Sequence, residues 1–106
     1  MTVAEWHKEG TRRVGPDQLK WRFVCPSCGY VASVQEWRDA SAGNSAVAFS
    51  CVGRWLGSKK TLGEKPGPCN YAGGGLFRLN PVSVICEDGT NLKVFDFAPG
   101  ADLEAA

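Results

Sequence analysis

A pair of cysteines in a tight turn constrains this 106-residue chain more than any other sequence feature. The pair is Cys25 and Cys28 in CPSCG, where proline and glycine favour a sharp turn of the backbone. Such a pair is typical of half of a metal site, a redox couple or a disulfide. Three more cysteines follow singly along the chain, and their surroundings help to distinguish these possibilities.

The flanking sequences separate the last cysteine from the others. Cys51 in SCVGR and Cys69 in GPCNY lie in turn-forming segments, whereas Cys86 ends the apolar, strand-like segment VSVIC. A cysteine in an apolar strand is commonly a buried core thiol, and we expect that role for Cys86. Four thiolates suit a closed, tetrahedral, structural zinc ion. We therefore predict a structural zinc site with these four ligands: Cys25, Cys28, Cys51 and Cys69.

Alternatives to this ligand set and to this chemistry stay open. Cys86 or His7 could replace one of the four cysteines, and iron suits four thiolates as well as zinc does. Thioredoxin-like redox chemistry requires the cysteine pair at a helix N-terminus. It is disfavoured here, because Ser33, the predicted helix cap, follows Cys28 by five positions. A disulfide framework requires an oxidising compartment, and nothing in the sequence indicates one.

The composition indicates one small, loop-rich domain with 13 glycines and 6 prolines. We expect a single zinc-stabilised domain over residues 1–98 and a flexible C-terminal tail over residues 99–106. The sequence contains no apolar run long enough to cross a bilayer, and residues 1–13 do not resemble a signal peptide. We therefore expect a cytoplasmic protein in a reducing compartment that disfavours disulfides.

Two capping boxes predict two short helices. Thr2 and Glu5 form the Thr-x-x-Glu pattern that begins a helix, and Ser33 and Glu36 form the equivalent Ser-x-x-Glu pattern. We expect the first helix to end at Gly15-Pro16, where glycine and proline stop helix propagation.

Alternating and apolar segments predict the strands. LKWRF at residues 19–23 alternates apolar and basic residues, and AVAFSC at residues 46–51 is a short apolar run. VSVIC at 82–86 and LKVFDF at 92–97 flank a turn at 87–89 and predict a hairpin. The sequence therefore predicts an α+β, zinc-ribbon-like domain with two short helices and four to five short antiparallel strands.

A loose basic set offers a second interpretation of function. Basic side chains near an aromatic residue, here Trp55, can bind single-stranded nucleic acid. A net charge of only +1 favours a solvated surface instead. Nucleic-acid binding is therefore the alternative function, with these candidate residues: Arg54, Lys59, Lys60 and Lys65.

The aromatic and histidine content favours a binding module over an enzyme. Trp21 and Trp37 occupy predicted core positions, whereas Trp6 or Trp55 could be exposed to a protein partner. The chain has one histidine and lacks the His-x-Glu element of zinc deaminases. We therefore expect no catalytic residues and predict a non-enzymatic protein that binds an unidentified protein partner.

The chain resembles a group of small uncharacterised cysteine-rich proteins of actinobacterial phages and prophages. The segments that carry the resemblance are FVCPSCG, FSCVGRW and PCNYAGGGLFRLNPV, and it covers most of residues 5–98. It implies a zinc-binding fold, a phage origin and hence the host cell cytoplasm as location. It implies no activity, so an accessory role engaging a host protein is our expectation for the function.

Overall fold

The computed structural model describes residues 1–61, 63–75 and 78–98 of the chain. Its helices and strands are, in chain order, α1 Val3–Arg13, β1 Arg22–Val24, β2 Val31–Ser33, α2 Val34–Asp39, β3 Val82–Ile85, β4 Asn91–Val94 and β5 Asp96–Phe97. Short 3-10 turns lie at Gln18–Lys20, Asn44–Ala46 and Val52–Trp55. The predicted small α+β architecture with short antiparallel strands is confirmed.

Both helices begin where the capping boxes predict. The Thr2 hydroxyl accepts a hydrogen bond from the Glu5 backbone N–H at 3.2 Å, and the Ser33 hydroxyl accepts one from the Glu36 N–H at 3.3 Å. In both boxes the glutamate carboxylate accepts from the N-cap backbone in return. These reciprocal bonds satisfy two of the N–H groups that every helix start leaves without a partner.

Gly10 lets α1 approach the core closely. A Cβ at this position would lie 2.6 Å from ring atoms of Trp21, far inside contact distance. The Trp21 indole is fixed in turn by a hydrogen bond of 2.8 Å to the Gly15 carbonyl. The glycine that weakens the helix propensity of α1 is therefore required by packing.

The five strands found in the described residues form two antiparallel sheets. The first has the order β2-β1-β5, and Phe23 at its centre pairs with Ala32 on one side and Phe97 on the other. The second is the β3–β4 hairpin, in which Val84 pairs with Leu92. The predicted hairpin and its turn at residues 87–89 are thus confirmed.

The strand predicted at residues 46–51 is wrong. The backbone there forms turns, because the Ala46 carbonyl accepts hydrogen bonds from the N–H groups of Phe49 and Ser50 at 3.0 Å each. Ala48 lies in the left-handed region with a φ of 56°, which interrupts any extended run. Tertiary packing of this apolar segment therefore overrides its strand pattern.

Two other predicted strands have different bounds. The strand predicted to begin at Leu19 begins only at Arg22, as β1. The residues before it form the 3-10 turn Gln18–Lys20, which Asp17 caps. The segment 92–97 is two strands, because the Phe95 N–H donates to the Ala48 carbonyl at 2.7 Å. At Phe95 the chain leaves the hairpin and enters the three-stranded sheet.

Aromatic side chains fill the core between these elements. Trp21 and Trp37 are buried, as predicted, and the Trp37 indole donates a hydrogen bond of 2.9 Å to the Ser50 carbonyl. Phe23 stacks on Phe97 with ring centroids 4.9 Å apart.

No helix within the described parts of the chain is long and apolar enough to cross a membrane. The predicted tail over residues 99–106 lies outside the described residues.

Candidate metal centre

The turn between β1 and β2 presents Cys25 and Cys28. The Cys25 N–H donates to the Tyr30 carbonyl at 2.9 Å, and the Gly29 N–H returns to the Cys25 carbonyl at 2.9 Å. Gly29 has a φ of 77°, a conformation that glycine adopts without strain. The final glycine of CPSCG thus allows the turn to close with both sulfurs on the inside.

Cys51 and Cys69 reach the same place from two other turns. The Cys51 N–H donates to the Tyr71 carbonyl at 3.0 Å, which ties the segment after Cys69 to the turn beginning at Cys51. The Cys69 N–H donates to the Cys51 sulfur at 3.4 Å. A Cβ at Gly53 would lie 2.2 Å from the Cys69 carbonyl oxygen, so only glycine allows this approach.

The four sulfurs have the spacing of a metal site. All four Sγ atoms lie within 4.8 Å of one another, and all four residues are buried. Cys25 and Cys69 sulfurs are 4.0 Å apart, and those of Cys28 and Cys51 are 3.9 Å apart. A tetrahedron with metal–sulfur bonds of about 2.3 Å has edges of about 3.8 Å. Disulfides require about 2.05 Å, so the cluster fits a metal ion and contains no disulfide.

When no cation is bound, the pKa values of the cluster's thiols shift in opposite directions. The pKa of Cys51 falls from its ordinary 9.0 to about 5, first because the neighbouring Cys25 thiol favours its thiolate, and further through the N–H groups of Gly53 and Cys69. The same interaction with Cys51 and then burial raise the pKa of Cys25, and burial raises that of Cys28. A divalent cation would displace the remaining protons, as thiolate coordination requires.

The two alternative ligands lie outside the cluster. Cys86 is half-buried at the end of the β3–β4 hairpin, so the expectation of a fully buried core thiol is wrong. The reason is that Cys86 begins the turn, where its carbonyl accepts from the Gly89 N–H at 2.9 Å. His7 is exposed, with its ring 5.5 Å from that of Trp6. Among the described residues the metal-binding grouping consists of the four predicted cysteines.

Packing around the cluster involves residues that the sequence did not single out. A Cβ at Gly67 would lie 2.4 Å from the Cys28 sulfur. The Ser27 hydroxyl accepts from the Gly63 N–H at 2.8 Å, and the Ser58 hydroxyl donates to the Pro68 carbonyl at 2.8 Å. The first bond attaches the loop before Cys69 to the β1–β2 turn, and the second joins the two ends of that loop. A glycine two positions from a cysteine, as in CVG and GPC, was the available signal.

The candidate nucleic-acid residues are only partly free to bind. Arg54 donates to the Asn70 carbonyl at 3.0 Å, and the Lys60 ammonium donates to the Pro66 carbonyl. Lys59 and Lys65 are exposed. Two of the four basic side chains therefore hold the loop next to the metal centre.

The fold and the cysteine cluster together define the class: a small α+β protein with a zinc-ribbon-like, four-cysteine cluster suited to a metal ion. The family is more specific, because residues 2–98 match the model of the VVA0879-like family, and the chain belongs to that family. No curated protein and no solved structure matches the chain. The family description names no activity, so function must be inferred from the site.

Proposed function

We propose that the protein is a non-enzymatic, zinc-stabilised binding module. The observation that carries the proposal is the set of four buried, unpaired cysteines with sulfurs within 4.8 Å of one another. Zinc with four protein thiolates has no open coordination position, and such sites stabilise folds and do not activate water. A buried site with mutual sulfur distances near those of a tetrahedron supports zinc over a hydrated, oxygen-preferring cation.

Trp55 and Leu56 form the proposed partner surface, here called the Trp55 surface. Their exposed fractions are 38% and 57%; Trp55 is the last residue of the 3-10 turn Val52–Trp55, and Leu56 caps it. Arg54 fixes this turn through its hydrogen bond to the Asn70 carbonyl. Exposed tryptophan is a frequent centre of protein interfaces. The metal would therefore fix the backbone that presents an apolar contact to a protein.

The proposed partner is a host protein. Support comes from the resemblance of FVCPSCG and PCNYAGGGLFRLNPV to proteins of actinobacterial phages and prophages. A phage or prophage accessory protein of this size would act in the host cytoplasm, where thiols stay reduced and available to zinc.

Nucleic-acid binding is the second candidate, supported by exposed Lys59 and Lys65 near the metal centre. Phosphate contacts from these lysines would make binding decrease steeply with salt. Reversal of both charges, K59E with K65E, would abolish retention of single-stranded DNA or RNA. If the wild type shows no retention at low salt, this candidate fails.

A crosslinking experiment tests the protein-binding proposal. The zinc-loaded chain, carrying a photo-crosslinking residue at Lys59, is incubated in lysate of an actinobacterial host. We expect one saturable adduct that disappears in the W55S/L56S double variant and persists in L79S, which changes another exposed leucine, 42% accessible, outside this surface. If the adduct survives W55S/L56S, the Trp55 surface does not bind the partner.

A further inference from the structure

The β3–β4 hairpin has one covered edge and one open edge. Along β3 the amino terminus lies beside the strand, because the Ile85 N–H donates to the Met1 carbonyl at 2.8 Å and the terminal ammonium of Met1 donates to the Ser83 carbonyl at 3.1 Å. Along β4 no further strand lies on the outer side within the described residues. β4 therefore presents backbone groups with which another strand can pair.

The register of the hairpin shows which groups of β4 face outward. The Cys86 N–H donates to the Thr90 carbonyl at 2.8 Å, so the antiparallel pattern leaves Asn91 and Lys93 in the pairs that are not hydrogen-bonded to β3. The N–H and C=O groups of these two exposed residues point away from β3. The Lys93 carbonyl accepts from the Asn80 side chain at 2.9 Å. Both groups of Asn91 and the N–H of Lys93 have no backbone partner among the described residues.

A solvent-open groove of about 300 Å³ lies against this edge, and residues 91–93 form part of its wall. A strand paired with β4 would lie about 4.8 Å from it, which places the strand in the groove. Gly73 and Gly74 carry no side chain into this space. The lining residues outside β4 are the following: Phe49, Gly73, Gly74, Arg78 and Asn80.

The charges of the groove favour an acidic occupant. Arg78 and Lys93 line it, both are exposed, and none of its described lining residues is an aspartate or a glutamate. Neither cation forms an ion pair within the described part of the chain. Edge-to-edge pairing of two copies of β4 would bring the same cations of both copies together, so a second copy fits poorly.

The alternation of side chains along a strand gives the pattern of the occupant. A residue opposite Lys93 would lie on the same side of the sheet as its ammonium group, where a carboxylate forms an ion pair. The next residue would point to the other side, towards the apolar Leu92. Acidic and apolar residues in alternation therefore complement this edge.

We propose that the open edge of β4 binds an extended segment of a partner protein in which acidic and apolar residues alternate. The segment adds a strand to the hairpin, with main-chain hydrogen bonds to Asn91 and Lys93 for affinity and side-chain contacts for specificity. Arg78 and Lys93 select the acidic residues. This surface is separate from the Trp55 surface, and the proposal does not depend on the identity of the metal.

The test uses a fluorescently labelled peptide, Thr-Glu-Val-Glu-Val-Glu-Thr, with the zinc-loaded full chain at low ionic strength. We expect saturable binding of one peptide per chain in fluorescence anisotropy, and slower hydrogen exchange of the Asn91 and Lys93 amides by NMR. The same peptide with lysine in place of glutamate should not bind. Absence of saturable binding of the acidic peptide, or equal binding of the basic one, overturns the proposal.

Two N-methylated versions of the acidic peptide separate strand pairing from charge attraction alone. Methylation of every second backbone nitrogen removes the donors on one edge of the peptide, and methylation of the alternate set removes those on the other edge. We expect one version to bind about tenfold more weakly than the other, because it has lost the bonds to β4. Equal affinities of the two versions would overturn strand addition.

Charge reversal in the protein tests the role of the groove. Lys93→Glu and Arg78→Glu should each weaken binding of the acidic peptide about tenfold, because an attraction becomes a repulsion. Lys20→Glu is the matched control, since it makes the same change in net charge at an exposed lysine outside the groove. Equal weakening in Lys20→Glu would reduce the effect to net charge and overturn the proposed site.

Two other occupants are distinguished by the same titration. Asp102, Leu103 and Glu104 have the acidic–apolar–acidic pattern within the chain itself. Peptide binding to the chain shortened to residues 1–98, but not to the full chain, would assign the edge to the chain's own C-terminus. A dimer in analytical ultracentrifugation that the peptide dissociates would assign it to a second copy. Either result would overturn the partner-segment proposal.

Discussion

The closest contacts at the metal centre are made by glycines as well as by cysteines. Gly67 packs directly on Cys28, and a Cβ at Gly67 would also lie 2.7 Å from the Cβ of Tyr30. Gly53 has an equally close approach to the Cys69 carbonyl oxygen. A methyl group at either position would therefore push one ligand-bearing turn away from the others.

We expect Gly67→Ala to lower the free energy of unfolding of the zinc-loaded protein by about 1–3 kcal/mol, the usual cost of overpacking. Zinc affinity should fall with it, because the Cys28 sulfur must move. Gly43→Ala is the matched control, since Gly43 has an ordinary φ of −68° and open space around its Cβ position. Urea unfolding and chelator competition measure both effects. Identical results for the two variants would contradict this packing account.

Removal of single sulfurs distinguishes the ligand set. Loss of a residue that only hydrogen-bonds to a metal ligand weakens metal binding roughly 10- to 100-fold. We expect Cys69→Ser, which removes a ligand itself, to weaken zinc binding by more than this. Cys86→Ser should keep one zinc per chain, because Cys86 lies outside the cluster. Chelator competition followed by metal analysis provides the measurement. Zinc retained in Cys69→Ser but lost in Cys86→Ser would mean that Cys86 is a ligand.

At the scale of elements, Tyr30 and Glu36 join the cysteine turn to α2. The Tyr30 hydroxyl donates to the Glu36 carboxylate at 2.8 Å, while the same carboxylate completes the capping box of α2. Trp37, the next residue, is fully buried. One glutamate therefore fixes the start of α2, which carries Trp37 into the core, and the end of the cysteine turn.

This hydrogen bond predicts a specific alkaline titration. The bond to Glu36 and then burial raise the pKa of Tyr30 from 10.0 to about 12. The stabilisation is complete below pH 10 and is lost as the pH rises from 10 to 12, because only the unfolded chain releases the proton in that interval. In Glu36→Gln the pKa should return towards 10. Ultraviolet titration of each protein against its Tyr30→Phe counterpart measures the shift, and an unchanged pKa in Glu36→Gln would contradict the assignment.

Elements with local signals were predictable from sequence, and elements fixed by distant contacts were not. Both capping boxes are complete within four residues, and the hairpin has its own turn. The strand predicted at 46–51 does not form, and the Ala48 carbonyl there accepts a hydrogen bond from the N–H of Phe95, 47 residues later in the chain. The three-residue strand β2 was not predicted, because it is too short to show a period and depends on pairing with β1.

The candidate site was partly predictable for the same reason. The four cysteines that meet in the structure are those with turn-forming residues beside them, and that information is local. The contacts of Gly53 and Gly67 and the exposure of Cys86 depend on how distant segments pack. A glycine two positions from a cysteine is the one local sign of the glycine contacts, and it does not indicate which distant residue each glycine touches.

At the scale of the whole molecule, the cysteine cluster joins three turns that are distant in sequence. In the described part of the chain one sheet has three strands and the other has two, so each covers little of the core. A small domain with so thin a core commonly requires an additional source of stability, such as a disulfide or a bound metal. A metal provides it here, because the free energy of binding to four thiolates becomes folding free energy.

Metal removal should therefore have a large effect on stability. We expect a strong chelator under reducing conditions to lower the free energy of unfolding by an amount on the order of 10 kcal/mol, which leaves the apoprotein largely unfolded. Restored zinc should restore the fold, and magnesium should not, since thiolates do not suit it. Circular dichroism of the same sample through one cycle of removal and return follows the change. A stable, cooperatively folded apoprotein would show that folding does not depend on the metal.

Metal content per chain tests the central claim most directly. Untagged protein, expressed in a reducing cytosol, is analysed by elemental mass spectrometry while its reactive thiols are titrated in the native state. The account predicts one zinc ion per chain and one readily reactive thiol, that of Cys86, with the other four cysteines protected. Absence of metal, with the cysteines of the cluster joined as disulfides, would contradict the account and restore a redox role for Cys25 and Cys28.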